Sequence, residues 1–142
     1  TVDEYMIYEA KLLGASAVLL ICSILNEEEL KHYMAVCEEL GLSALVEAHD
    51  AEEVEMALRA GARIIGVNNR NLKDFTVNTD NSKKLREMIP PEVIFVSESG
   101  VKGSEDVAAL REIGADAVLV GETLMRAEDK TKMLAKLRGG QL

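Results

Sequence analysis

One repeated phrase constrains this chain more than any other feature: a glycine, two linking residues, then a short apolar run. It occupies residues 14–21, 41–48, 61–68 and 114–121. The glycine suits the left-handed position that ends a helix. The apolar run suits a strand buried on both faces, as in a parallel sheet. A fifth run, residues 93–97, follows Pro90-Pro91 instead. Proline also stops a helix, so the punctuation has the same meaning.

Helical patterns with start signals lie between the runs. Asn26 followed by Glu27, Glu28 and Glu29 reads as a cap with acids in the first turn, and Leu30, Met34 and Cys37 then share a face. Asp50 caps 51–60, with Val54, Ala57 and Leu58 as the buried stripe. Asp80 or Asn81 starts 82–89. Ser104 starts 105–113, with Val107, Ala108 and Leu110 as its apolar side. Residues 1–13 open the chain as a helix and 123–137 close it as one.

The pattern is therefore a helix followed by five strand–helix units, which implies α/β architecture, a parallel sheet and right-handed crossovers. Strands starting near 17, 44, 64, 93 and 117 recur every ~25 residues, and eight such units need about 200 residues, near the lower end for a (β/α)8 barrel. Two architectures fit: an open doubly wound sheet, or the later part of a barrel. A doubly wound nucleotide fold usually has a glycine-rich turn after its first strand. Here that turn is Cys22-Ser23-Ile24-Leu25, so the pattern favours a barrel, with residues 1–142 as a single portion of it. A chain opening on Thr1 points to a processed product or a piece of something longer.

Composition removes several functions. Sixteen Lys and Arg against 25 Asp and Glu give a net charge of −9, which argues against wide contact with a nucleic-acid backbone. Aromatic residues make up 4% and there is no Trp, so a base-stacking platform is absent. The apolar runs are too short to span a bilayer, and no charged-then-apolar leader is visible. Cys22 and Cys37 alone make neither a disulfide framework nor a zinc site. Free thiols in an acidic chain fit the cytoplasm.

In both architectures function collects where strands end. The first strand ends without charge at Ile21-Cys22-Ser23, an apolar wall rather than an activated thiol, since no base is adjacent. The second ends Val46-Glu47-Ala48-His49-Asp50. Glu47 and His49 share a face by alternation, and a carboxylate inside an apolar strand is costly unless paired or functional. Asp50 reads more simply as a helix cap, and a metal site from these three lacks a second His. The third strand ends in the polar cluster Asn68-Asn69-Arg70-Asn71-Leu72. Arg70 offers a planar fork for a carboxylate or phosphate, Asn68 an amide for a carbonyl or hydroxyl; a solvated, Asn-rich turn is the competing reading. The fourth ends Ser97-Glu98-Ser99-Gly100 and the fifth Val120-Gly121-Glu122. Glycines just before helices let backbone N–H groups converge on an anion, and barrels commonly build a phosphate site from their last two loops. Glu122 is awkward beside a phosphate, so its side chain is expected to point away while its N–H points in.

In this order, 44–49 (Ala-Leu-Val-Glu-Ala-His), 66–72 (Gly-Val-Asn-Asn-Arg-Asn-Leu), 96–100 (Val-Ser-Glu-Ser-Gly) and 117–125 (Ala-Val-Leu-Val-Gly-Glu-Thr-Leu-Met) resemble the indole-3-glycerol phosphate synthase family, as do 17–21 and the Tyr8-Glu9-Ala10 stretch. The resemblance implies a (β/α)8 barrel of tryptophan biosynthesis. It implies a lyase that closes a ring in 1-(2-carboxyphenylamino)-1-deoxyribulose 5-phosphate and releases carbon dioxide and water, without metal or organic cofactor. Carried over, Glu47 handles protons, Asn68 polarises the substrate and Arg70 holds the anthranilate end. Leu19 and Leu72 wall the aromatic ring, Glu98 and Ser99 form a polar pair, and Gly100, Gly121 and Glu122 donate backbone N–H groups to phosphate. The partner implied is a small sugar-phosphate/anthranilate substrate.

The family also uses a Glu and a Lys from its first strand and a Lys from its third. Lys11 and Lys31 lie in helices at solvated spacing and are poor substitutes. The resemblance therefore places this chain at strands four to eight. It is then expected to retain a partial phosphate site and little synthase activity, and to self-associate or pair with the N-terminal barrel segment. Two further readings stand beside it: a non-catalytic half-barrel assembly unit, and another phosphate-binding barrel enzyme such as a sugar-phosphate isomerase.

Overall fold

A computed structural model describes residues 1–70 and 80–139. Five strands, β1 (Ala17–Ile21), β2 (Ser43–Ala48), β3 (Ile64–Asn68), β4 (Ile94–Glu98) and β5 (Ala117–Leu119), form one sheet. All pairings are parallel and the order is β1-β2-β3-β4-β5. Each crossover thus steps to the adjacent strand in the same direction. Right-handed crossovers that never reverse place their helices on one face of the sheet, which is the winding of a barrel and not of a doubly wound sheet.

The helices are α1 (Glu4–Leu12), α2 (Glu27–Glu39), α3 (Ala51–Ala60), α4 (Asp80–Arg86), α5 (Ser104–Glu112), α6 (Glu122–Arg126) and α7 (Lys130–Leu137). Alternate strand residues Leu20, Val46, Ile65, Val67 and Phe95 are fully buried beneath them, with Ile7, Leu30, Cys37 and Val54 from the helices. Burying each such side chain stabilises the fold by roughly 1.5–3 kcal/mol. The opposite face is different. Leu19, Ile94 and Leu119 are 37%, 47% and 47% exposed, although a barrel interior is normally filled by such branched residues.

Local chemistry explains the helix boundaries. Asn26 and Glu29 form a reciprocal capping box at α2, each side chain accepting from the other's backbone N–H at 2.9 Å. Asp50 accepts from Glu53 N–H at 3.0 Å, and Gly61 ends α3 at φ +87°.

Five expectations are corrected. The closing helix is two, because Ala127 is extended and Asp129 caps a new start at α7. The buried side of α2 is Leu30, Tyr33, Val36 and Cys37; Met34 is half-buried, and Tyr33 turns inward to donate to the Val2 carbonyl at 3.0 Å. Helix α5 is capped at Gly103 rather than Ser104, because the Asp106 carboxylate reaches back to the N–H groups of Lys102 and Gly103 at 2.8 and 3.0 Å. Ala108 faces solvent and Leu110 carries the burial of that helix. Strand β4 runs Ile94–Glu98, one residue later at both ends than the expected run 93–97, so Glu98 lies inside the strand.

Candidate active site

Strand register sets the chemistry. Glu47 pairs with Gly66, and Asn68, Glu98 and Leu119 align across β3, β4 and β5. In a parallel sheet aligned residues point to the same face, so these groups lie on the side away from the helices. Glu98 extends over Gly66: a methyl group on Gly66 would overlap Glu98 Oε1 and lie 2.9 Å from its Cδ. The absence of a side chain at Gly66 opens the slot through which Glu98 meets Glu47.

Both carboxyls are buried, at 5% and 4% exposure. Burial first, then the charge and hydrogen bond of Glu47, push the Glu98 carboxyl up to about 8. Two acids in one dry site cannot both ionise cheaply. At neutral pH Glu98 therefore holds a proton, and the pair contains an acid and a potential base side by side.

Beyond β3, Asn68 Oδ1 accepts from Arg70 N–H at 3.0 Å and fixes the turn. The Arg70 guanidinium, 30% exposed, reaches across to Glu122 Oε2 at 2.7 Å. Glu122 also pairs with Arg126 at 3.0 Å, and these two cations hold its carboxyl below the usual range. Its side chain thus engages Arg70 instead of pointing away as expected. A cleft of about 560 Å³ lies here, and Arg70, Ser99, Gly100, Gly121 and Glu122 all line it, as do Lys102 and Arg126.

Sequence comparison decides the family. The indole-3-glycerol phosphate synthase profile matches residues 1–137. The enzyme of that name from Leuconostoc mesenteroides is 58% identical over 98% of this chain, which covers 53% of that protein. The one from Ruminiclostridium cellulolyticum is also 58% identical, over 98% of this chain and 54% of its own length. This chain belongs to the indole-3-glycerol phosphate synthase family. It spans about half the length of the curated relatives it matches. Among solved structures it is similar to 3-hexulose-6-phosphate synthase (TM-score 0.77, 18% identity, all of this chain and 70% of that one). It is also similar to thiamine phosphate pyrophosphorylase from Pyrococcus furiosus (TM-score 0.75, 20% identity, 94% of this chain and 62% of that one). Likeness at that identity concerns the fold: five units of a parallel (β/α)8 barrel.

Within the synthase family frame, the predicted residues fall into two neighbouring groups. Glu47, Asn68 and Glu98 lie on the open sheet face with the half-exposed Leu19; Arg70, Ser99, Gly100, Gly121 and Glu122 line the cleft. Leu72 lies outside the described residues. Cys22 is buried, and burial with the nearby acids Glu53, Glu47 and Asp50 pushes its thiol up to about 12, so it is inert as expected of a wall. Among the described residues no group of three or more His, Cys, Asp or Glu is placed to hold a metal ion.

Sequence reasoning passed over Gly66, Leu119 and Asn69. Asn69 is 3% exposed. Its amide nitrogen lies 3.1 Å from Ser97 Oγ, 3.0 Å from the Glu98 carbonyl and 3.2 Å from the Ser99 carbonyl. Its Oδ1 accepts from both the N–H and the hydroxyl of Ser82, at 3.0 and 2.9 Å. This network holds Ser99 at φ +65°, the one non-glycine residue there among those described, a geometry that costs roughly 1–3 kcal/mol and persists only when its surroundings dictate it. Asn69 thereby fixes where Glu98 ends and the Ser99-Gly100 turn begins.

Proposed function

We propose that these five strands carry the C-terminal share of an indole-3-glycerol phosphate synthase site. The substrate is 1-(2-carboxyphenylamino)-1-deoxyribulose 5-phosphate, and the products are indole-3-glycerol phosphate, carbon dioxide and water. The observation that carries this is the buried Glu47–Glu98 pair beside the Asn68–Arg70 turn. Ring closure onto a carbonyl needs an acid, and dehydration needs an acid and a base. Glu98, protonated at neutral pH, is suited to donate; Glu47 is suited to accept. Asn68 supplies amide hydrogens to the substrate oxygen next to the ring-closing carbon. Arg70 clamps the anthranilate carboxylate by its fork, with Leu19 against the ring. Ser99 and the backbone N–H groups of Gly100, Gly121 and Glu122 face the phosphate end of the cleft. The scheme needs no metal or cofactor.

The family's first- and third-strand acid and lysines have no counterpart on these strands. Losing a general acid alone typically lowers rate by 10²–10⁴-fold, so the 142 residues by themselves are expected to bind weakly and turn over little. We read the partner as a segment carrying strands one to three. It would pair with the edges of β1 and β5 and cover Leu19, Ile94 and Leu119, which are exposed here. No helix among the described residues is long and apolar enough to cross a membrane, and small-molecule biosynthesis with two buried free cysteines fits the cytoplasm.

Arg70→Ala tests the assignment of the substrate. A charge-assisted hydrogen bond is worth about 1.5–3 kcal/mol, so in the completed barrel substrate affinity should fall roughly 10–100-fold. Unchanged affinity in a binding titration would favour a phosphate-binding barrel enzyme whose substrate carries no such carboxylate.

A further inference from the structure

His49 has no task in the proposed reaction, yet it touches the acid pair. It follows β2 and sits between two carboxylates. On one side, Glu53 Oε2 accepts the His49 backbone N–H at 2.8 Å and lies 3.2 Å from the ring Nδ1. On the other, Nε2 lies 3.4 Å from Glu47 Oε1. The imidazole is 18% exposed, Glu47 7% and Glu53 17% by side chain. Nε2 is buried and has no hydrogen bond among the described residues, and neither has Glu98 Oε1 at the far end of the same row. The row therefore reads Glu53, His49, Glu47, Glu98. Each ring nitrogen thus has a carboxylate oxygen beside it, and an N–H on Nε2 is directed at Glu47. Asn81 of α4 donates to the His49 carbonyl at 2.9 Å and steadies the backbone there.

We propose that His49, anchored by Glu53, is a positioning residue that presents Nε2–H to Glu47 and so confines the proton of the carboxyl pair to Glu98. Without a donor on Glu47, two adjacent acids share one proton and each is an acid only part of the time. With it, the negative charge is held at Glu47 and the proton at Glu98, and the roles of base and acid are separated. This proposal rests on the reading of Glu47 and Glu98 as the proton-handling pair. The titratable groups along and around this row are Glu53 from α3, Asp50 at the cap of α3, Glu47 from β2, Glu98 from β4 and Cys22 from the turn after β1.

The test is the carboxyl-carbon NMR titration of Glu98 in the chain itself, with its thermal unfolding as a control for folding. In the parent chain Glu98 should titrate in a single step near its value of about 8. In His49→Asn the step should divide in two, with a substantial part moved to lower pH, because the proton is then shared with Glu47. Glu53→Gln, which keeps the imidazole and loses its anchor, should show the same division more weakly, and it serves alone if His49→Asn does not fold. A single unmoved step in the folded variants would overturn the proposal. A divided step together with a completed barrel that makes no indole product would keep the positioning role and overturn the synthase reading instead.

Discussion

At the residue scale, the site depends on an acid kept protonated by its surroundings. A group whose proton affinity is raised on folding stabilises the fold below its unfolded value, and that contribution is lost as pH rises through the folded one. For Glu98 the window runs from the ordinary 4.5 up to about 8. Stability should therefore fall across that range, by on the order of a few kcal/mol. Glu98→Gln keeps the shape and removes the titration, so urea unfolding at the two ends of the window should show a flatter dependence and a more stable variant at the upper end. Gly66→Ala should act on the same group by space. Its methyl collides with the Glu98 carboxyl, which should cost roughly 1–3 kcal/mol and return Glu98 to an ordinary titration by NMR. Glu47 and Glu98 were legible in the sequence because a carboxylate in an apolar run is costly and needs a reason. Gly66 was not, because a glycine in a strand carries no sign of which neighbour fills its space; that depends on register. Asn69 was hidden by its company, since asparagine-rich segments usually mean solvated turns, and only burial separates it from Asn68.

At the scale of elements, punctuation was the readable part. The glycines before β1, β2, β3 and β5, and the caps Asn26 and Asp50, sit where local chemistry demands them. Asn26→Ala removes the side-chain acceptor for Glu29 N–H, leaves the backbone half of the capping box in place, and should lower stability by about 1 kcal/mol, read as a reduced melting temperature with unchanged helix content. Where punctuation came from a side chain acting at a distance of a few residues, the reading failed. Asp106 reaches back to cap α5, and Asp129 restarts a helix that the apolar pattern alone carried straight through. The inward turn of Tyr33 likewise follows from the Val2 carbonyl it meets, a contact between α2 and the start of the chain that helical periodicity does not contain.

At the scale of the molecule, five strands in steady parallel order present one covered face and one open face. The covered face is an ordinary helix-backed core. The open face holds the acid pair, Asn68 and the exposed leucines, which suits the inside of a barrel whose remaining strands would complete both the core and the site. Fold class was readable from the repeat of the glycine-and-apolar phrase; the choice of a barrel over a doubly wound sheet became certain only from the strand order. The most direct test is indole fluorescence on adding the carboxyphenylamino-deoxyribulose phosphate to three samples: the chain alone, the chain mixed with the N-terminal half of the Leuconostoc mesenteroides relative, and the same mixture carrying Glu47→Gln. The chain has no Trp, so product emission appears on a clean background. Emission is expected from the mixture, little from the chain alone, and at least a 10²-fold slower rise with Glu47→Gln. Turnover by the chain alone at the rate of a complete synthase, or an assembled mixture that stays dark, would contradict that expectation.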